Sequence, residues 1–223
     1  MVGLITKDLL ALKSYGKSIL FVIIIYCIIG FFMGNVSFYN TMIIFITAMA
    51  SINLFSYDNY YKWDRYAISM PLSRNKIVMA KYISAYSILL CGFMYCIIID
   101  FINSFVSKDG MSLASYFSLD FFYFILCSVY ISIVIPVIYK MGVEKGRIFI
   151  IALFVVPFVI IMILANKENT REIFEVVFSV IEKAFSENSF ITILVIFGVF
   201  LSSIVFNIIS YFISCNIFSK KEF

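Results

Sequence analysis

The chain alternates long apolar runs with short polar breaks, and the breaks set its elements. Six runs have the length of roughly 17–25 apolar residues that a helix needs to cross a bilayer. They lie at about 18–34, 39–56, 82–99, 121–139, 148–165 and 190–213. Before them, a helix over 3–17 would place Ile5, Leu9 and Leu12 on one face, with Lys7, Ser14 and Lys17 opposite. That pattern predicts an amphipathic helix in the headgroup plane. It does not read as a cleaved leader, because the apolar run that follows is long and has no small-residue cleavage site. A second amphipathic stretch at 171–186 sets Ile173, Val177, Val180 and Ala184 against Glu172, Glu175, Ser179 and Glu182. It predicts a surface-seated helix before the last span. The expected fold is an all-α integral membrane protein. It is a single transmembrane domain over 1–223 with six transmembrane helices, an N-terminal interfacial helix, a polar loop at 57–81 and an outer amphipathic helix.

Composition supports this reading. The 223 residues are 63% hydrophobic and 13% charged, against about 45–50% and about 25% in soluble domains. There is no histidine, which excludes HExxH metal sites and His-activated nucleophiles. No GxxxxGK[ST] loop is present, so the chain does not itself cradle a nucleotide in a P-loop. The five cysteines fall inside apolar runs without metal-like spacing and read as small buried hydrophobes.

Charge then sets the orientation. Thirteen of the 17 lysines and arginines fall on the side that carries the N-terminus, the 57–81 loop, the 140–147 turn and the C-terminus. The positive-inside rule makes that side, with both termini, cytoplasmic. Eight of the 13 acids fall on the other side, and none falls in a span core; Asp100 and Asp120 are expected at outer span ends. Basic residues spread over membrane-side loops are not a nucleic-acid footprint.

The 57–81 loop concentrates the candidate chemistry. It holds the single tryptophan, Trp63, five basic residues and two acids. As one helix over 59–69, Tyr60, Trp63 and Ala67 share a face, Tyr66 flanks it, and Lys62 and Arg65 point away, before Met70-Pro71 stops the helix. An interfacial belt of aromatics and basic residues fits this pattern. A ridge that docks a soluble partner fits it equally, since Trp, Tyr and Arg dominate interface hot spots. Elsewhere, Gly30 and Gly34 form a GxxxG that permits close helix packing. Pro157, in mid-span, is a kink or a hinge.

Tyr60, Trp63 and Tyr66, followed by Ser69-Met70-Pro71-Leu72-Ser73-Arg74, then Ile77-Val78 and Ala80-Lys81-Tyr82, resemble the cytoplasmic loop of ABC-2 type permeases. Lys7-Asp8-Leu9-Leu10 with Lys13 resembles the N-terminal interfacial helix of that family. Within the family the chain is most similar to small permeases of Gram-positive bacteria, including those that export phenol-soluble modulins. The resemblance implies a bacterial cytoplasmic membrane protein that is not itself an enzyme and has no catalytic or metal-binding residue. It implies a coupling helix at 59–69, with Asn59, Tyr60, Lys62, Trp63, Asp64, Arg65, Tyr66 and Arg74 against a separate ATP-binding subunit. ATP and Mg would sit on that partner and no cofactor on this chain. It further implies a second permease subunit, packed through Gly30 and Gly34, and export of an amphipathic peptide or lipid-like substrate. Two other readings fit a multi-span chain: a standalone immunity protein, and an ion-coupled secondary transporter. The second expects ionisable residues in mid-membrane.

Overall fold

The computed structural model describes residues 2–33, 36–69, 72–106, 113–146 and 189–221, with isolated positions between 148 and 159. The described residues form helices and no strands. The helices are α1 (Val2–Met33), α2 (Val36–Tyr60), α3 (Trp63–Ser69), α4 (Arg74–Val106), α5 (Leu113–Met141) and α6 (Ser189–Ser219). The 148–165 span is described only at those isolated positions; Pro157, the 171–186 helix, Gly34 and the Met70-Pro71 stop lie outside the described residues, as does the packing of Gly30.

Among the described residues, four helices are long and apolar enough to cross a membrane: Tyr39–Tyr60, Arg74–Phe105, Tyr116–Met141 and Ile196–Ser219. The first three each contain one of the apolar runs, and the fourth overlaps the run at 190–213. The first run behaves differently from expectation. The 3–17 stretch and the 18–34 run form one unbroken helix of 32 residues, about 48 Å long at 1.5 Å per residue. The chain between them offers no proline, and Gly16 alone costs only about 1 kcal/mol in a helix. The polar residues that suggested a boundary are therefore absorbed into a continuous helix.

Side-chain pairings give the topology. α2 runs antiparallel to α4, with Asp58 beside Lys81 and Asn40 beside Asp100. It runs parallel to α5, with Asn40 beside Asp120 and Phe55 on Tyr139. α6 lies antiparallel to α4, through Tyr86–Asn207 and Tyr82–Ser214. It lies parallel to α5, through Phe121–Phe200 and Tyr139–Phe218. The core forms where these helices converge, around Ile43, Ile44, Val78, Leu89, Ile131 and Ile135. The start of α1, the end of α2, α3, the start of α4 and the ends of α5 and α6 thus gather at one end of the bundle.

Two details show how backbone chemistry shapes the packing. Pro136 lies inside α5 and has no N–H to give to the carbonyl of Ser132. The hydroxyl of Ser210 on α6 donates to that carbonyl instead. Gly92 lets α4 come close to α2: a Cβ there would lie 2.5 Å from Thr47 Oγ1 and 2.9 Å from Thr47 Cβ.

Candidate functional site

The end of the bundle where five helix termini meet is held by alternating charges. Lys7 and Asp8 come from α1, Asp58 from α2 and Lys81 from α4. Lys7 Nζ lies 2.6 Å from Asp58 Oδ1 and 3.0 Å from Asp8 Oδ1. Lys81 Nζ lies 2.7 Å from Asp8 Oδ1 and 2.6 Å from Asp58 Oδ2. Two cations and two anions close a neutral ring. The Lys81 side chain is 6% exposed and that of Asp8 3%. Such a ring is favourable only when every charge is paired, because removing one partner strands another in a low-dielectric site.

α3 sits on this ring. Lys7 places its ammonium 4.3 Å from the centroid of the Trp63 ring, within reach of a cation–π attraction. Trp63 packs partly buried against the core, and Ala67, one turn on, is fully buried. The inner face of α3 is therefore Trp63 and Ala67. At the far end, Arg74 donates to the carbonyl of Ser219, and Lys221 lies 4.0 Å from Asp64. Burial pushes the Asp64 carboxyl above its ordinary value of 3.8, with the Lys221 charge acting against it.

The single helix expected over 59–69 is not what forms. α2 ends at Tyr60, and Lys62 takes a left-handed conformation with φ of 51° before α3 begins. Tyr61 N–H donates to Tyr57 O, Lys62 N–H to Asn59 O and Arg65 N–H to Lys62 O, and these bonds carry the chain through the corner. The corner separates Tyr60 from Trp63, so the two do not share a face. Tyr60, Lys62, Arg65, Tyr66, Asn59 and Arg74 are all exposed; Tyr60 is 80% exposed and Tyr66 61%. Asp64 is half-buried.

Two features escaped the sequence reading. Tyr61 is exposed beside Tyr60 with the rings edge-on at 5.0 Å, and it stacks on Tyr57 at 6.3 Å. The corner therefore presents a continuous aromatic ridge, which the run Tyr57-Asp58-Asn59-Tyr60-Tyr61 could have signalled. The charged ring was legible only as isolated charges, since its bonded pairs lie up to 73 residues apart. What the arrangement offers is a short, anchored helix with an aromatic and cationic outer surface, tied to the ends of the crossing helices. Among the described residues no group of acids and cysteines is placed to hold a metal ion.

The family model described as ABC-2 family transporter protein matches residues 3–219. No curated protein and no solved structure matches the chain.

Proposed function

The chain belongs to the ABC-2 family of transporter proteins, and from that membership we propose that it is the permease subunit of an ATP-driven exporter. Family and crossing helices together make it a multi-pass membrane protein. The α3 end of the bundle is the cytoplasmic one, because the basic residues concentrate there. A separate subunit binds ATP and Mg, and this chain carries out no chemistry of its own.

The observation that carries the reading is the split between the two faces of α3. Trp63 and Ala67 face the bundle, while Arg65 and Tyr66 on α3, with Tyr60 and Tyr61 at the corner before it, are exposed. A helix whose inner face is locked to the spans and whose outer face is rich in interface-prone residues suits the transmission of force. The ATP-binding subunit would grip the outer face. Its motion would pass through Trp63 and Lys7 to α1, and through Asp58 and Lys81 to α2 and α4. Asn59, Lys62, Asp64 and Arg74 border the same surface. The cargo is an amphipathic peptide or lipid-like molecule, in keeping with 26 phenylalanines and 15 tyrosines. A second permease subunit completes the transporter, with Gly30 and Gly34 at the seam and Pro157 as the hinge.

Affinity purification tests this. The chain, co-expressed with an ATP-binding subunit encoded beside it, should bring that subunit down, and Tyr60→Ala combined with Tyr66→Ala should release it. Purification of the chain alone, with an intact fold and no captured subunit, would favour the standalone immunity reading.

A further inference from the structure

At the end of the bundle away from α3, α2, α4 and α5 bring two acids together. The sequence suggested that Asp100 and Asp120 close their spans at the surface. Instead, α4 continues to Val106 and α5 begins at Leu113. Both acids therefore lie inside their helices, with Asp100 4% and Asp120 2% exposed. Asn40, fully buried on α2, donates from Nδ2 to Asp100 Oδ1 at 2.7 Å and to Asp120 Oδ2 at 2.8 Å. One amide nitrogen thus bridges the two carboxyls.

Ionised carboxylates only accept hydrogen bonds, so two of them side by side need donors from their surroundings. The donor count falls short of that need. Four carboxyl oxygens and Asn40 Oδ1 are acceptors, and the Asn40 amide supplies two N–H groups to the acids. The Cys96 thiol donates elsewhere, to the backbone carbonyl of Asn40 at 3.6 Å. Asn40 Oδ1 and Asp100 Oδ2 are buried without any partner. No lysine or arginine among the described residues pairs with either acid. The titratable side chains within a turn of the cluster are Tyr39 on α2, Cys96 on α4, and Tyr116 and Tyr123 on α5, types that are neutral at physiological pH. From α6, Phe200 meets Phe121, and neither carries charge. Two adjacent buried negative charges with no counter-charge would cost far more than neutralising one of them.

We propose that Asn40, Asp100 and Asp120 form a buried proton-binding site that holds one proton between the carboxyls of α4 and α5. The site exists only while α4 and α5 are packed together. Parting the two helices breaks the bridge through Asn40, hydrates both acids and releases the proton. Any rearrangement that opens this end of the bundle is then linked to the pH on that side of the membrane. This inference does not depend on α3 or on an ATP-binding partner.

Infrared spectroscopy of the full chain in liposomes, in sodium-free buffer at neutral pH, tests the assignment. The expected result is a protonated-carboxyl band in the wild type that is lost in Asp120→Asn while the helical amide signal is kept. If Asp120→Asn fails to fold, Asp120→Glu keeps a carboxyl but moves it, and should shift the band. Absence of the band in the wild type overturns the proposal. So does a band unchanged by both Asp120→Asn and Asp100→Asn. A band abolished by sodium at constant pH also overturns it, since the site would then be a cation site.

Discussion

The ammonium of Lys7 rests 4.3 Å from the centre of the Trp63 ring, so the N-terminal helix and the short helix α3 are joined by one side-chain contact. The same ammonium closes the charged ring through Asp58. The outer face of α3 is therefore positioned by residues from α1, α2 and α4 together, and a load on α3 reaches three helices at once.

The ring should behave as a unit. Lys81→Met leaves Asp8 and Asp58 sharing Lys7 alone, in a nearly dry site. Stability should fall by about 3–5 kcal/mol, the usual cost of breaking a buried ion pair from one side. Lys81→Met combined with Asp58→Leu restores neutrality and should cost less than the sum of the two single changes. Thermal unfolding in detergent reads both.

Gly92 permits the contact between α2 and α4. Gly92→Ala brings a methyl against the side chain of Thr47, and β-branched Thr47 has few rotamers in which to escape. A loss of about 1–3 kcal/mol is expected from overpacking. Thr47→Ala in the same chain should recover part of it, which a double-mutant cycle on melting temperature would show.

Ser210 and Pro136 should be coupled across α5 and α6. Ser210→Ala strands the Ser132 carbonyl that Pro136 leaves without a helical donor. The expected cost is about 1–3 kcal/mol for a buried unsatisfied acceptor. In a Pro136→Ala background the helix supplies its own N–H, and Ser210→Ala should cost less. Equal costs in the two backgrounds would show that the serine does not serve this carbonyl.

Asp64 gives a pH signature. Burial raises its carboxyl above 3.8 in the folded chain. The folded state therefore holds this proton more tightly than the unfolded state. The group favours the fold at low pH, and that contribution is lost as pH rises through the folded value. Melting temperature measured upward from below pH 3.8 should decline more steeply in the wild type than in Asp64→Asn.

The sequence displays α2, α4, α5 and α6 because a run of apolar residues long enough to cross a bilayer has few other fates. It conceals the continuity of α1, because Lys13, Ser14, Gly16 and Lys17 read as a boundary although none of them breaks a helix. The corner at Lys62 is hidden for a different reason: lysine has no particular preference for positive φ, and its conformation follows from how Trp63 and Ala67 pack. The charged ring and the Asp100–Asp120 pair depend on register between distant helices. Periodicity along one segment cannot report that register. The single-face grouping of Tyr60 with Trp63 failed for the same reason as the corner, whereas the exposure of Lys62 and Arg65 follows directly from polar patterning in a loop.

If the outer face of α3 and the corner before it receive the motion of an ATP-binding subunit, ATP turnover in the reconstituted complex reads it most directly. The full chain and an adjacent-gene ATP-binding subunit would be assembled in liposomes, and hydrolysis measured for the wild type and for Tyr60→Ala combined with Tyr66→Ala. Both tyrosines are exposed, so the variant should keep its melting temperature. The account predicts that the wild-type chain alters the subunit's turnover and that the variant does not. Wild-type turnover in the double variant would contradict it and would leave the aromatic ridge as a membrane-surface anchor.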